Sequence, residues 1–235
     1  MESWFCIWDV LAKSNKGLDL VPNHAVVPEC CSNNPETNLK NMMTEILYKY
    51  RSLQNFKNFV DIILKNRLWA SKYKNLNDPM EGQYYYQDGE LNRDIRNRLL
   101  EEKGTLRLCS LSKVRDNQLM WSHYTNGQRG VVIGLRVDEN LFNVRPIQYD
   151  GIVSIRNQDF NDQTATEILS HKLEVWNYEE EVRVFVRDQN FIEINIEEII
   201  TGIAMSNADF GLVKELIEKV NPNIRIIKAE TFMNN

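Results

Sequence analysis

The residues best suited to chemistry lie between His171 and Phe185, HKLEVWNYEEEVRVF. Trp176 and Tyr178 lead into Glu179, Glu180 and Glu181, and Arg183 follows among Val182, Val184 and Val186. Read as a strand over 179–187, this stretch puts Glu179, Glu181, Arg183 and Phe185 on one face. Glu180 and the valines take the other face, which reads as core. Two carboxylates and an arginine on one face have two readings. They form an ion pair on a half-exposed sheet, or they line a polar cleft with Glu179 or Glu181 as the working acid. Strand phase does not choose between the two acids. Glu181 is preferred because Arg183 beside it can hold it ionised. Lys172 and Trp176, four apart, share a helix face directed at the acids.

Three other clusters carry polar chemistry. Tyr48, Lys49, Tyr50 and Arg51 put two aromatics on one strand face and two cations on the other. Arg51 is placed to clamp a phosphate or carboxylate, or it is a solvated edge cation. Asn77, Asp78, Pro79 and Glu81 read as a turn whose side chains cap backbone groups, with too few carboxylates at useful spacing for a metal site. Trp121, Ser122, His123 and Tyr124 offer either ordinary aromatic packing or a stacking wall for a flat ring. Cys109 reads as a buried strand cysteine rather than a nucleophile paired with His123. Walker A, GxGxxG, GxSxG and HExxH patterns are absent.

Composition narrows the classes. The 235 residues suffice for one large or two small domains. A net charge of -5 argues against broad attraction to nucleic acid or acidic membranes. Cys6, Cys30, Cys31 and Cys109 form no CxxC pair, and with His24, His123 and His171 scattered they give no zinc spacing. The apolar runs are too short to span a bilayer, and the N-terminus lacks a secretory layout. A reduced, cytoplasmic setting is expected, with no metal.

The elements that must position these residues follow in order. Residues 1–45 read as an N-terminal extension, either poorly ordered or packing through Trp4, Phe5 and Trp8. The domain, 46–235, opens with a strand over 46–51, an amphipathic helix over 54–66 and a strand over 68–71. Helix 90–103 stops at Gly104. A strand at 106–111, a short helix at 117–124 and a buried strand at 130–135 come next. Strands near 145–149 and 152–155 precede a helix over 165–175 that hands over to the acidic strand. Residues 191–194 are its expected hairpin partner. A strand at 199–205, a helix at 210–220 and a strand at 224–227 close the chain. Without regular βα alternation, this predicts an α+β domain with a split, mostly antiparallel mixed sheet and flanking helices.

The sequence resembles a known family at these same places. YKYR (48–51), LWAS (68–71), NDPMEG (77–82), CSLS (109–112), MWSHY (120–124) with Gly130, Tyr149, and K-x3-WNYEEEVR (172–183) occur in this order. Together they resemble a widespread prokaryotic family known as domain of unknown function 2971, over residues 46–228. In outline the order is also similar to the ADP-ribosyltransferase superfamily. That likeness implies NAD as co-substrate, with Arg51 on its ribose or phosphate side, Ser71 as the middle element, and Glu179 or Glu181 as the late catalytic glutamate. Physically, breaking a glycosidic bond builds positive charge that a fixed carboxylate stabilises. The departures are the missing STS motif and the triple glutamate. Catalytic residues are then Glu181, Glu179 and Arg51. The substrate is met by Tyr50, Ser71, Asn77, Asp78, Trp121, His123, Tyr124, Lys172, Trp176 and Arg183. The resemblance implies a bacterial toxin or phage-defence setting, with a protein or nucleic-acid acceptor. Two readings from other classes stay open. One is a non-catalytic module binding a nucleotide or protein. The other is a metal-dependent nuclease using Asp78, Glu81, Glu179 and Glu181.

Overall fold

The computed structural model describes residues 45–87 and 89–229. The expected extension lies outside the described residues but for Glu45. The described elements are β1 (Leu47–Arg51), α1 (Phe56–Lys65), β2 (Arg67–Trp69), β3 (Ser71–Lys72), α2 (Arg93–Thr105), β4 (Arg107–Ser112), α3 (Gln118–Tyr124), β5 (Val131–Arg136), β6 (Asn143–Pro146), α4 (Thr164–Ile168), β7 (Glu181–Val186), β8 (Phe191–Glu193), β9 (Asn195–Thr201), α5 (Asn207–Val220) and β10 (Arg225–Lys228). Among the described residues no helix is long and apolar enough to cross a membrane.

Capping explains where the helices begin. The Asn92 side chain accepts the Ile95 N–H at the start of α2, and Asn117 accepts those of Leu119 and Met120 at α3. Ser206 accepts the Asp209 N–H at α5. Each satisfies donors that the helix cannot pair internally. Asn66, left-handed at φ 47°, ends α1.

The main sheet has the order β10-β9-β5-β1-β4-β7-β6, with β3 pairing the free stretch of β4. Every pairing is antiparallel except β10 with β9. The α+β class and the mostly antiparallel mixed sheet are as expected. The split has a definite place. β1 and β4 meet at one register pair, Tyr48 opposite Ser112. Beyond it the strands part, and β3 takes up the same edge of β4 only at Leu108 and Arg107. The Lys49 ammonium donates to the Ser110 carbonyl across the gap, at 2.6 Å. It thereby satisfies an acceptor the ladder has abandoned.

Each sheet face has its own core. Val182, Val184 and Val186 join Phe59, Ile62 and Ile63 of α1 and Val213 and Ile217 of α5 on one side. On the other side lie two separate clusters. Leu99, Leu108, Leu169 and Phe185 make one, and Tyr50, Met120, Trp121, Val132 and Ile200 make the second. The valine face is therefore core, as its alternation predicts. The polar face of β7 looks into the seam between the two clusters on the far side.

Several expected elements are corrected. The acidic strand does not span 179–187: β7 begins at Glu181, residues 174–179 form a 3-10 turn, and Glu180 is left-handed at φ 41°. That backbone conformation breaks the extended alternation, so Glu179 is not on the strand at all. The helix over 165–175 is cut to α4. After it His171 bridges Gln148, and the Lys172 N–H donates to the Gln148 carbonyl. Lys172 is thus extended, and it shares no helix face with Trp176. Residues 191–194 are no hairpin partner of β7, because β4 and β6 already occupy both its edges. β8 instead pairs with β2 in a small second sheet. The strand at 68–71 is divided between the two sheets at Ala70. Helix α2 continues through Gly104 to Thr105. The strands near 145–149 and 152–155 reduce to β6 and single bridges at Gln148 and Ser154. The strand expected at 199–205 is β9, ending at Thr201.

Candidate functional site

The gap between β1 and β4 opens into a cavity of ≈ 230 Å³. Tyr48, Lys49 and Tyr50 form one side, and Ser110, Leu111 and Ser112 the other. The loop 75–77, Met120 and Tyr124 close its rim, and Glu81, Lys172, Glu179 and Glu181 make its floor. A second hollow of ≈ 340 Å³ adjoins it and shares Lys49, Tyr50 and Tyr124. Arg51 lines that second hollow with Ser52, Gln54, Asn55 and Asn58.

The floor is a buried charge cluster built from three chain segments. Lys172 Nζ donates to Glu179 Oε2 at 2.5 Å and to Glu181 Oε2 at 3.1 Å, and lies 3.4 Å from Glu81 Oε1. Arg183 donates through Nε to Glu181 Oε1 at 2.7 Å, through Nη1 to the Leu169 carbonyl at 2.6 Å, and through Nη2 to Glu81. Arg183 and Lys172 are 0% and 2% exposed at their side chains. Three carboxylates against two cations leave one formal negative charge in the seam.

That imbalance sets the protonation states. Burial works to raise the Glu181 carboxyl, but the Arg183 guanidinium and the Lys172 ammonium outweigh it and hold it at about 2. Burial wins at Glu81, whose carboxyl is pushed up despite the same two cations. Burial disfavours the charged Lys172, yet Glu181, Glu81 and Glu179 together keep its ammonium well above the usual range. One carboxylate is therefore fixed as an anion while its neighbour is drawn towards carrying a proton.

Glu179 is held differently. Its Oε1 accepts the Tyr124 hydroxyl at 2.5 Å, and that hydroxyl accepts from Asn77 Nδ2 at 3.0 Å. Burial, then the bond to Glu179, pushes the Tyr124 phenol up, so it stays a donor. The Ser112 hydroxyl donates to the Glu179 carbonyl at 2.7 Å, which fixes the turn before β7. On the other side the Glu181 N–H donates to the Tyr149 hydroxyl at 2.7 Å. Lys172 Nζ also lies 4.8 Å from the Trp176 ring centroid. The Lys172–Trp176 pair thus meets without the helix expected to align it.

The expected site residues separate into three groups. Tyr50, Asn77, Tyr124, Lys172, Glu179 and Glu181 line the cavity, and Arg183 buttresses its floor. Arg51 lies in the adjoining hollow rather than beside the glutamates. The rest stand apart. Ser71 pairs with Leu108 on β3 and lines neither hollow. Asp78 is a buried turn residue accepting the Met80 N–H at 2.9 Å. Trp121 is buried edge-on against Tyr50, with its indole N–H on the Arg115 carbonyl at 2.9 Å, so it presents no open face for stacking. His123 is exposed beside Tyr124.

Sequence reasoning undervalued Glu81, Lys49, Tyr48, Ser110 and Ser112. Glu81 entered only as a turn or metal-site carboxylate, since nothing local announces a partner 102 residues away. The convergence of Glu81, Glu179 and Glu181 is what metal chemistry would require, but they converge on an ammonium. Among the described residues no group of three His, Cys, Asp or Glu side chains is disposed around a common ion position. Compared with known proteins, the chain matches no family model, no curated protein and no solved structure.

Proposed function

We propose that this cavity binds a nucleotide and cleaves its N-glycosidic bond, with NAD as the substrate class and hydrolysis or ADP-ribosyl transfer as the outcome. The observation that supports it is the buried cluster of three carboxylates and two cations at the base of a tyrosine-lined cavity. Cleavage of a nicotinamide–ribose bond develops positive charge on the ribose, and preorganised anions stabilise it without reorganising. Glu179 is the carboxylate we assign to this role. Glu181 has both oxygens committed to Arg183 and Lys172. Glu179 instead shares one oxygen with the wall residue Tyr124, a contact a ribose hydroxyl can replace. Lys49 and Arg51 face the phosphate side. The setting, toxin or phage defence, rests on the family likeness alone.

Incubation of the protein with NAD, followed by mass spectrometry, tests this. Free nicotinamide or added ADP-ribose is expected from the wild type, and Glu179→Gln should remove most turnover. Arg51→Ala should raise KM. No release, with or without cell extract, overturns the enzyme reading. A non-catalytic nucleotide-binding module is the second reading. It is favoured by the fact that all five charged groups of the floor already have partners within the protein. Saturable NAD binding without turnover would select it.

A further inference from the structure

A second carboxylate–arginine assembly lies on the same sheet face, in line with the cavity. The register pairs run Glu181–Ser112–Tyr48–Gly134–Glu198–Arg225 across β7, β4, β1, β5, β9 and β10. Directly opposed residues share a face, so these six form one row. At about 4.8 Å per strand, Tyr48 stands about 10 Å from Glu181, and Glu198 about 10 Å further on. Glu181, Ser112 and Tyr48 line the cavity. The row continues beyond it.

Glu198 is fully buried and ionisable, which costs free energy unless it is paired. Its Oε1 accepts from Arg115 Nη1 at 3.2 Å and its Oε2 from Arg225 Nη2 at 2.6 Å. The side chain folds across Gly134, where a Cβ would stand 2.6 Å from Glu198 Cγ and 3.2 Å from the Tyr48 ring. A glycine at 134 is what lets the carboxylate lean towards Tyr48. Arg115 comes from the loop between β4 and α3, where the Trp121 indole fixes its carbonyl. The two guanidiniums are 38% and 66% exposed at their side chains, while the carboxylate is 1% exposed. One buried anion thus orients two solvent-facing cations, one on each oxygen. Buttressed guanidiniums of this kind suit a tetrahedral oxyanion with several acceptors.

We propose that Arg115 and Arg225, aligned by Glu198, form a binding subsite for a phosphate or diphosphate anion, on the row of the sheet that continues from the cavity beyond Tyr48. The subsite goes beyond the glycosidic chemistry and does not depend on it. The anion is either free or part of a nucleotide whose sugar occupies the cavity.

Inorganic pyrophosphate titrated into the full chain, read by melting temperature and by amide shifts, tests it. A saturable rise in Tm is expected, with shifts centred on residues 115, 198 and 225. Loss of a charge-assisted bond lowers affinity about tenfold or more, so Arg225→Gln and Arg115→Gln should each show such a drop. Lys219→Gln, on the exposed face of α5, should leave the affinity unchanged. ADP-ribose separates the two sources. Weakening by both Arg225→Gln and Tyr124→Phe shows one ligand spanning both sites, whereas a response to pyrophosphate alone shows a free anion. Equal pyrophosphate affinity in the wild type and both arginine variants overturns the proposal. So does an equal loss in Lys219→Gln. Because pyrophosphate needs no turnover, an absence of nicotinamide release leaves this test intact.

Discussion

Two carboxylate–cation assemblies share one face of this sheet, and they differ in which partner is sealed. In the seam below the cavity, Arg183 and Lys172 are as buried as the glutamates they hold. At Glu198 only the carboxylate is buried, and its arginines reach solvent. The buried cations act first on neighbouring protein groups: they fix where the carboxylates point and whether they are charged. Partly exposed cations on a buried anion keep one side towards solvent. The first assembly is therefore built to present negative charge to the cavity, and the second to present positive charge beyond it. A ligand with a cationic transition state at one end and a phosphate at the other matches that polarity.

The contrast can be broken by mutation, and the largest effect is expected at Arg183. Arg183→Met leaves Glu81 and Glu181 buried with only Lys172, which should cost about 3–5 kcal/mol in the denaturant midpoint. Acid is the next probe. Glu181 sits at about 2 in the fold, below its unfolded value. Its stabilisation is therefore complete above the unfolded pKa and is lost as pH falls through the folded one. The loss is about 3 kcal/mol from pH near 4.3 downward. Glu81 runs the other way, since its raised carboxyl favours the fold at low pH and loses that contribution as pH rises. Denaturant midpoints at pH 7, 4 and 3 should drop steeply for the wild type and less for Glu181→Gln.

A comparison of the two glutamates sharpens the point. At pH 7, Glu81→Gln should cost about 1 kcal/mol or less, because burial already opposes its charge, while Glu181→Gln should cost several-fold more. The smallest effect belongs to the open assembly. Arg225→Gln should change stability by about 1 kcal/mol or less, because Arg115 still pairs the buried Glu198 carboxylate and the lost guanidinium stood mostly in water. A loss as large as that of Arg183→Met would show that Arg225 is a structural residue.

Much of this was legible in the chain. The valines of β7 announced a core face, and the short helix at 117–124 and the turn at 77–81 stood where their residue types place them. Glu181 and Arg183 were paired from alternation alone. Glu179 was assigned to the right neighbourhood for the wrong reason: a left-handed Glu180 and the Lys172 ammonium bring it in, and strand phase does not. What stayed hidden depends on tertiary register. No local pattern shows that Glu81 meets Arg183, that Lys49 bridges a parted sheet, or that Gly134 makes room for Glu198. Trp121 could be read as packing or as a stacking wall, and only its tertiary contacts, which are core, decide for packing.

The most direct test of the central claim is a paired measurement on Glu179→Gln: NAD affinity by calorimetry beside nicotinamide release. A carboxylate acting on the transition state predicts wild-type affinity within a few-fold and turnover lowered by about two orders of magnitude or more. Turnover that survives the substitution, or affinity and turnover lost together with the fold intact, would contradict it.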